Sequence, residues 1–201
     1  MKRLMWVVLL AVGAVVPIRA QPPALAPVPK AVELVMEDQF GRKTDLADLR
    51  GSVVLLVFGD RKGTDVCRTL GEQLHLCWHP TAKGLPPAKA QSAPVVPLEG
   101  LKPGQVAPNV IVVPVACCGK PPPAVRTTIV RQIAKGSPDV VVWLDFAESM
   151  KGLFGLAPSE ANVALIDTTG RARMKLNGVI DQPAMDKLVK AVQDVRAEAA
   201  R

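Results

Sequence analysis

The sequence predicts an α/β sandwich whose central mixed sheet ends in a β-hairpin and a C-terminal helix. Continuous apolar runs, typical of strands covered on both faces, alternate with amphipathic helical segments. A half-exposed, alternating strand and a long helical stripe follow near the C terminus. The order β–α–β–α–β, hairpin, helix indicates parallel strands at the centre, with a chemically active edge at their carboxyl ends.

The N terminus has the pattern of a signal peptide covering residues 1–20. Lys2 and Arg3 precede an apolar stretch, Met5–Val16, and cleavage is expected after Ala20. The apolar stretch is shorter than the ~20 residues that cross a bilayer. We therefore expect a periplasmic or secreted protein with no stable membrane span after cleavage, or a membrane-anchored one if the signal remains uncleaved.

Composition argues against nucleic-acid binding. Removal of the signal takes away Lys2, Arg3 and Arg19 and lowers the formal net charge from +7 by three, to +4. The remaining basic residues are scattered, and the chain has no Tyr and few other aromatic side chains to stack on bases. We expect no cofactor, and as partner another exported protein or a thiol compound.

Residues 21–31 are proline-rich and predict an extended linker, followed by one domain over residues 32–201. A turn at Gln39–Lys43 follows a short strand. Thr44–Leu49 supplies an N-cap and a brief helical turn, and Val53–Phe58 is the first buried strand.

A helix is predicted over Asp65–Leu76, with Thr64 or Asp65 as its N-cap. Its apolar stripe consists of Cys67, Leu70, Leu74 and Cys77. Cys67 falls in the first turn, where the helix N terminus is expected to lower the pKa of a thiol. Cys67 and Cys77 lie roughly 15 Å apart along such a helix, beyond disulfide reach.

Residues 79–108 are rich in proline and predict an irregular surface insertion. The remaining predicted elements are strand Val110–Ala116, interrupted by Pro114, helix Pro121–Lys135, strand Val140–Leu144, an amphipathic segment Ala147–Leu156, strand Asn162–Asp167, turn Thr168–Gly170, strand Arg171–Asn177 and helix Pro183–Ala199. Cys67 and the pair Cys117-Cys118 each follow a parallel strand, so we expect all three at one edge of the sheet.

Three motifs resemble the redoxins, thioredoxin-fold proteins that include peroxiredoxin-like and Sco-type branches. They are DQFGR at 38–42 with Leu46, Leu49, Gly51 and VVLLVF; Phe58-Gly59 followed by Asp65-Val66-Cys67; and NVALIDTTG at 162–170. The resemblance covers about residues 32–78 and 138–201 and implies a thioredoxin-like sandwich. In the Sco-type motif two cysteines stand here, and Gly63 replaces the first of them. Many members carry a cis-proline before the last hairpin, at a position that corresponds to Ala161, and Pro158 lies three residues before it.

The resemblance implies thiol–disulfide chemistry of a weak or atypical kind. Cys67 would attack or resolve a mixed disulfide, and Cys117 or Cys118 would be its partner. The residues leave other roles open: Cys67 as a buried core residue, a structural Cys67–Cys117 or Cys67–Cys118 bridge, or a vicinal disulfide between Cys117 and Cys118.

The alternative function is a non-catalytic thioredoxin-fold binding or structural protein of the cell envelope. A metal carrier is the third hypothesis, because His75 and His79 share one helix face. Sco-type copper sites use a histidine near the final hairpin, and this sequence has none there. No metal ligand is therefore assigned.

Overall fold

The computed structural model describes residues 30–200. The predicted signal peptide and nearly all of the predicted linker lie outside the described residues. Within the described part, the strands are β1 (Val35–Asp38), β2 (Lys43–Asp45), β3 (Val53–Gly59), β4 (Val110–Cys117), β5 (Trp143–Asp145), β6 (Asn162–Ile166) and β7 (Ala172–Asn177). The helices are α1 (Thr64–Trp78), α2 (Pro87–Ala90), α3 (Pro123–Gly136), α4 (Ser149–Phe154) and α5 (Gln182–Ala199), and short 3₁₀ helices occupy Leu46–Leu49 and Pro80–Ala82.

All seven strands form one mixed sheet in the order β2-β1-β5-β4-β3-β6-β7. β3, β4 and β5 run parallel, and β6 is antiparallel to both β3 and β7. Val53 pairs with Val110 on one side, and Val54 pairs with Ile166 on the other. The predicted mixed sheet with a closing hairpin and terminal helix is confirmed.

β3 is buried along its whole length and separates two apolar clusters. Its alternate side chains point to opposite faces because the side-chain period of a strand is two. Val54, Leu56 and Phe58 pack towards α4, and the intervening valines and Leu55 pack towards α1 and α5. Each fully buried aliphatic side chain contributes about 1.5–3 kcal/mol, so this strand anchors both halves of the core.

The predicted helix after β3 is correct, but its ends and its apolar stripe differ from the prediction. Gly63, not Thr64 or Asp65, is the N-cap of α1, and the helix runs on to Trp78. Cys77 is exposed, whereas Trp78 is only 2% exposed. Trp78 follows Leu74 by four residues and so continues the buried stripe.

The 79–108 segment is less irregular than predicted. It contains α2 and the 3₁₀ helix Pro80–Ala82, and Ala93 within it is buried. The amide of Val96 donates to the carbonyl of Trp78 at 2.8 Å. The insertion is therefore docked on the C-terminal end of α1.

Two strands also differ locally. β2, a three-residue strand that includes Thr44, was not predicted, and Asp45 rather than Thr44 caps the following 3₁₀ helix. Pro114 interrupts no ladder on the β5 side, because that ladder starts at Val115. In residues 30–200, no helix is both long and apolar enough to cross a membrane.

Candidate functional site

The loop between β3 and α1 is shaped by Asp60. Its carboxylate accepts hydrogen bonds from the amides of Lys62 and Gly63 at 3.0 and 2.9 Å. These bonds form an Asx turn that directs the chain into the helix. Gly63 then accepts from the amide of Cys67 at 2.9 Å, which closes the first helical turn.

Cys67 is half-buried against the α1 face of the sheet, at the carboxyl end of β3. A Cβ added to Gly59 would lie 2.5 Å from the Cys67 sulfur, so this glycine makes room for the thiol. The sulfur also accepts a hydrogen bond from the backbone amide of Asn162. The position of this thiol is therefore fixed by three elements: α1, the end of β3 and the first residue of β6.

The predicted lowering of the Cys67 pKa is wrong. Burial raises the pKa of Cys67 to about 11, and the negative charge of Asp60 adds to the rise, while the Asn162 amide opposes it. The unpaired amides of a helix are those of its first residues, here from Thr64 to Val66. Cys67 lies one residue beyond them and faces the sheet, so desolvation outweighs the helix dipole.

Gly63, where the resemblance expects an attacking thiol, has no room for a side chain. A Cβ at this position would lie 2.8 Å from the Glu160 carbonyl oxygen and 3.2 Å from both its carbonyl carbon and its nitrogen. Backbone atoms cannot move aside like a flexible side chain. Where the family's first cysteine would project, the surface is therefore closed by the Glu160 backbone, and no empty cleft remains.

The segment Ala157–Asn162 that closes Gly63 is held by two polar side chains. Asp60 accepts from the amide of Ser159, with oxygen distances of 3.2 and 3.1 Å. The Asn162 side chain, fully buried, donates to the carbonyls of Phe58 and Glu160 and accepts from the Ala157 amide. Neither role was predicted; a polar residue opening the apolar run VALI was the available signal for Asn162.

No cis peptide bond occurs in residues 30–200, and Ala161 is buried in the place where the family pattern has proline. Ser159, two residues earlier, has a φ of 65°, in the left-handed region. Such a conformation costs a non-glycine residue free energy and persists where its surroundings hold it. The hydrogen bond that its backbone amide donates to the Asp60 carboxylate supplies that restraint.

Cys117 and Cys118 lie at the end of β4, next to the end of β3, because Gly59 pairs with Ala116. Burial raises the pKa of Cys117 to about 12, with Asp145 the next largest cause. Burial and Asp145 also raise the pKa of Cys118 to about 11. The Cys118 thiol donates to the carbonyl of Ala116 at 3.3 Å.

The structure brings Cys67 and Cys117 to the same edge but to different faces of the sheet. Cys117 packs against the cluster that includes Phe58, whereas Cys67 packs against the cluster on the α1 side. A charge on Cys67 contributes to the raised pKa of Cys117, so the two thiols lie within electrostatic range. All four cysteines of the chain are free, and a Cys67–Cys117 bond would require the strand end to turn.

His75 and His79 stack with ring centroids 4.7 Å apart, as expected for two residues on one helix face. Their ring nitrogens are directed at backbone carbonyls, of Ala90 for His75 and of Ala93 and Val110 for His79. Among the described residues, no group of three or more His, Cys, Asp or Glu side chains is arranged to hold a metal ion.

No protein-family model matches the chain, and no curated protein matches its sequence. Solved structures do match. A candidate protein disulfide isomerase of Bacteroides thetaiotaomicron shares 16% identity, covers 83% of this chain and 87% of its own, and superposes with a TM-score of 0.51.

A candidate thiol:disulfide interchange protein DsbE of Chlorobium tepidum shares 18% identity, covers 84% of this chain and 99% of its own, and has a TM-score of 0.50. At these identities the likeness establishes architecture. It agrees with the observed mixed sheet, closing hairpin and terminal helix and confirms the predicted resemblance. The chain is therefore a thioredoxin-fold protein.

Proposed function

We propose that this chain is an exported thioredoxin-fold protein of the cell envelope that acts by binding a partner and does not turn over disulfides as an ordinary redoxin does. The observation that carries the proposal is the contact at Gly63. The Glu160 backbone occupies the space where an attacking thiol would project. A partner can dock at this edge, but no thiol is presented to it from that position.

The electrostatics of the remaining thiols support the same conclusion. Thiolate, not thiol, is the nucleophile in disulfide exchange. With the pKa of Cys67 raised to about 11, only about one molecule in ten thousand carries that thiolate at neutral pH. Cys117 and Cys118 are no better, with pKa values of about 12 and 11.

A second function, slow thiol–disulfide exchange, is favoured by the shared edge of Cys67 and Cys117 and by the names of the two structural neighbours. In it, the Cys67 thiolate attacks a substrate disulfide, forms a mixed disulfide and releases one substrate thiolate. Cys117 or Cys118 then attacks the Cys67 sulfur and releases the second substrate thiol. The substrate gains two electrons, and the protein pair becomes a disulfide.

Reduction of insulin by dithiothreitol separates the two functions. We expect wild-type protein and a Cys67→Ser variant to give the same slow rate as dithiothreitol alone, with thioredoxin as the positive control. A wild-type rate that approaches thioredoxin and is lost in Cys67→Ser would refute the binding proposal and establish exchange. Counting free thiols after incubation with oxidised glutathione then shows whether Cys67 has acquired a partner.

Export rests on the N-terminal sequence and has its own test. We expect the protein recovered from a periplasmic or culture fraction to begin at Gln21, which intact mass spectrometry measures directly. A cytoplasmic product with an intact N terminus would contradict export. A membrane-bound product that retains residues 1–20 would show an uncleaved anchor in place of a released protein.

A further inference from the structure

α3 lies against the sheet without joining either apolar core cluster. None of its 14 residues, all of which the structure describes, is buried, and none belongs to the two clusters that β3 separates. Val125, in its first turn, is 48% exposed. Arg126 supplies an attachment: its guanidinium donates to the Glu37 carboxylate of β1 at 2.7 Å and lies 4.4 Å from the centroid of the Phe146 ring. The helix is therefore held partly by a cation and keeps an open face.

The charge on α3 and its flanking segments has one sign. Residues 110–138 contain four basic side chains and no Asp or Glu. Two of the four, Lys120 and Arg126, are paired with carboxylates of this chain. The other two, Arg131 and Lys135, are exposed, and neither forms an ion pair with any residue that the structure describes. Both cations are therefore available to the carboxylates of a partner.

A groove lies between α3 and the turn that follows β1. Its volume is about 360 Å³, and its lining residues are Gln39, Arg126, Thr127, Val130, Arg131 and Ala134. Gln39 is buried and fixes one wall, because its side chain donates to the carbonyls of Ser137 and Val140 at 2.9 and 2.7 Å. A helix that binds a bilayer turns large apolar side chains outward, whereas the apolar members of this lining face a concave groove. The shape therefore favours a polypeptide over a membrane surface.

We propose that the groove beside α3 binds an extended, acidic segment of a partner protein. Arg131 and Lys135 are four residues apart, so they share one helix face at a spacing of about 6 Å along the axis. In an extended chain, alternate side chains share a face about 6.6–6.8 Å apart. Carboxylates at every second position therefore match the two cations, as Glu37 of strand β1 already meets Arg126. This surface is separate from the closed Gly63 site, and the proposal goes beyond the function proposed for that site.

Fluorescence anisotropy with a labelled peptide of alternating glutamate and threonine tests the proposal. The same peptide with glutamine in place of glutamate is the matched control. We expect the glutamate peptide to bind the wild-type protein at low salt, the glutamine peptide not to bind, and the affinity to fall as salt screens the exposed pairs. An Arg131→Gln/Lys135→Gln double variant should weaken binding about tenfold, the effect of losing two exposed ion pairs.

A second double variant, Lys175→Gln/Lys187→Gln, removes the same charge at the far end of the sheet, where β7 is the edge strand and α5 packs on it. Both lysines are exposed, and the affinity for the glutamate peptide should not change. Equal weakening by the two double variants would show unspecific attraction and overturn the proposal, as would failure of the glutamate peptide to bind. Binding of phosphatidylglycerol vesicles without binding of the peptide would replace the partner by a membrane surface. The insulin assay tests the Gly63 site separately, so either proposal can fail alone.

Discussion

Gly63 determines the chemistry of this site because it has no side chain, and the Glu160 backbone fills the space that a side chain would take. Its φ of −82° lies in the range that any residue adopts, so glycine is not required there by backbone conformation. It is required because the Glu160 backbone lies against it. A cysteine at position 63 and the observed path of the 157–162 segment exclude each other, because the Glu160 backbone occupies the space that a Cβ would need.

Alanine at Gly63 should destabilise the protein although it adds only a methyl group. The Cβ would meet backbone at 2.8 Å, and overpacking of this kind costs about 1–3 kcal/mol. Gly71 is the matched control, because it lies in the same helix and its added Cβ would meet nothing within 4 Å. There alanine should stabilise by up to about 1 kcal/mol through helix propensity. Urea unfolding measures both; equal effects at the two positions would contradict the packing argument.

The raised thiol pKa values predict reactivity that rises steeply in alkali. We expect iodoacetamide to modify exposed Cys77 fastest at pH 8. Cys67, with a pKa of about 11, should react about tenfold faster for each pH unit up to that value. Peptide mass spectrometry follows the labelling, and rapid modification of Cys67 at pH 7 would show that its sulfur is not desolvated.

The same pKa values predict how folding stability depends on pH. Stability should be unaffected below pH ~8.5, the ordinary thiol value. Above that pH the free energy of unfolding should fall, because the unfolded chain loses its thiol protons first.

At the scale of elements, the Asp60 carboxylate connects the β3–α1 loop to the 157–162 segment. Asp60→Asn removes the negative charge that the amide of Ser159 and the amides of Lys62 and Gly63 share. Charge-assisted bonds of this type contribute about 1.5–3 kcal/mol each when the acceptor is charged. We discount this to about 1 kcal/mol, since the Ser159 bonds are long and exposed.

The expected result for Asp60→Asn is faster hydrogen exchange at Ser159, whose left-handed conformation then loses its restraint. Asp65→Asn serves as the control, because Asp65 is an exposed aspartate nearby, in the first turn of α1. That variant should leave the Ser159 amide unchanged. Unchanged exchange in Asp60→Asn would show that Asn162 alone holds the segment.

Sequence patterns predicted most of the strands and helices because these patterns report the spacing of apolar residues. They do not report hydrogen bonds in loops or contacts between distant segments, and the failures are of these two kinds. Continuous apolar runs fix β3, β4 and β6, because only buried strands tolerate them. The N-cap at Gly63 was missed because the turn before it is organised by Asp60, whose hydrogen bonds leave no pattern of apolar spacing. The closure by Glu160 joins positions almost one hundred residues apart, and no local pattern reports such a contact.

At the scale of the whole molecule, a buried arginine of the C-terminal helix joins the insertion to the core. Arg196 holds it through two carbonyl groups while its guanidinium lies over the Trp78 ring at 5.6 Å. A basic residue at the end of an amphipathic helix usually remains in solvent, so the sequence predicted an apolar face for α5 without this residue. Burial at 1% exposure identifies it as a structural cation.

Arg196→Met should be among the most damaging single changes. It leaves the carbonyls of Val96 and Pro108 without their donor, at about 1–3 kcal/mol for each unsatisfied buried group. Arg173→Met is the control: this arginine pairs with solvent-exposed Glu198 at 2.8 Å and makes only a longer contact of 3.4 Å to the mostly buried Asp167. An exposed pair such as Arg173–Glu198 contributes at most about 1 kcal/mol. Thermal unfolding compares the two variants. Equal losses would mean that the contacts of Arg196 add nothing beyond surface charge.

The register of the central strand also dictates the order in which the chain can fold. Val53 needs Val110 on one side, and Val54 needs Ile166 on the other. The fully buried strand β3 therefore gains its first strand partner only from β4 and its second only from β6, near the end of the chain. Closing such long loops lowers folding rates. The contact of His79 with Val110 closes a shorter loop than the pairing of Val53 with Val110, so docking of the insertion lowers the entropic cost of bringing β4 to β3.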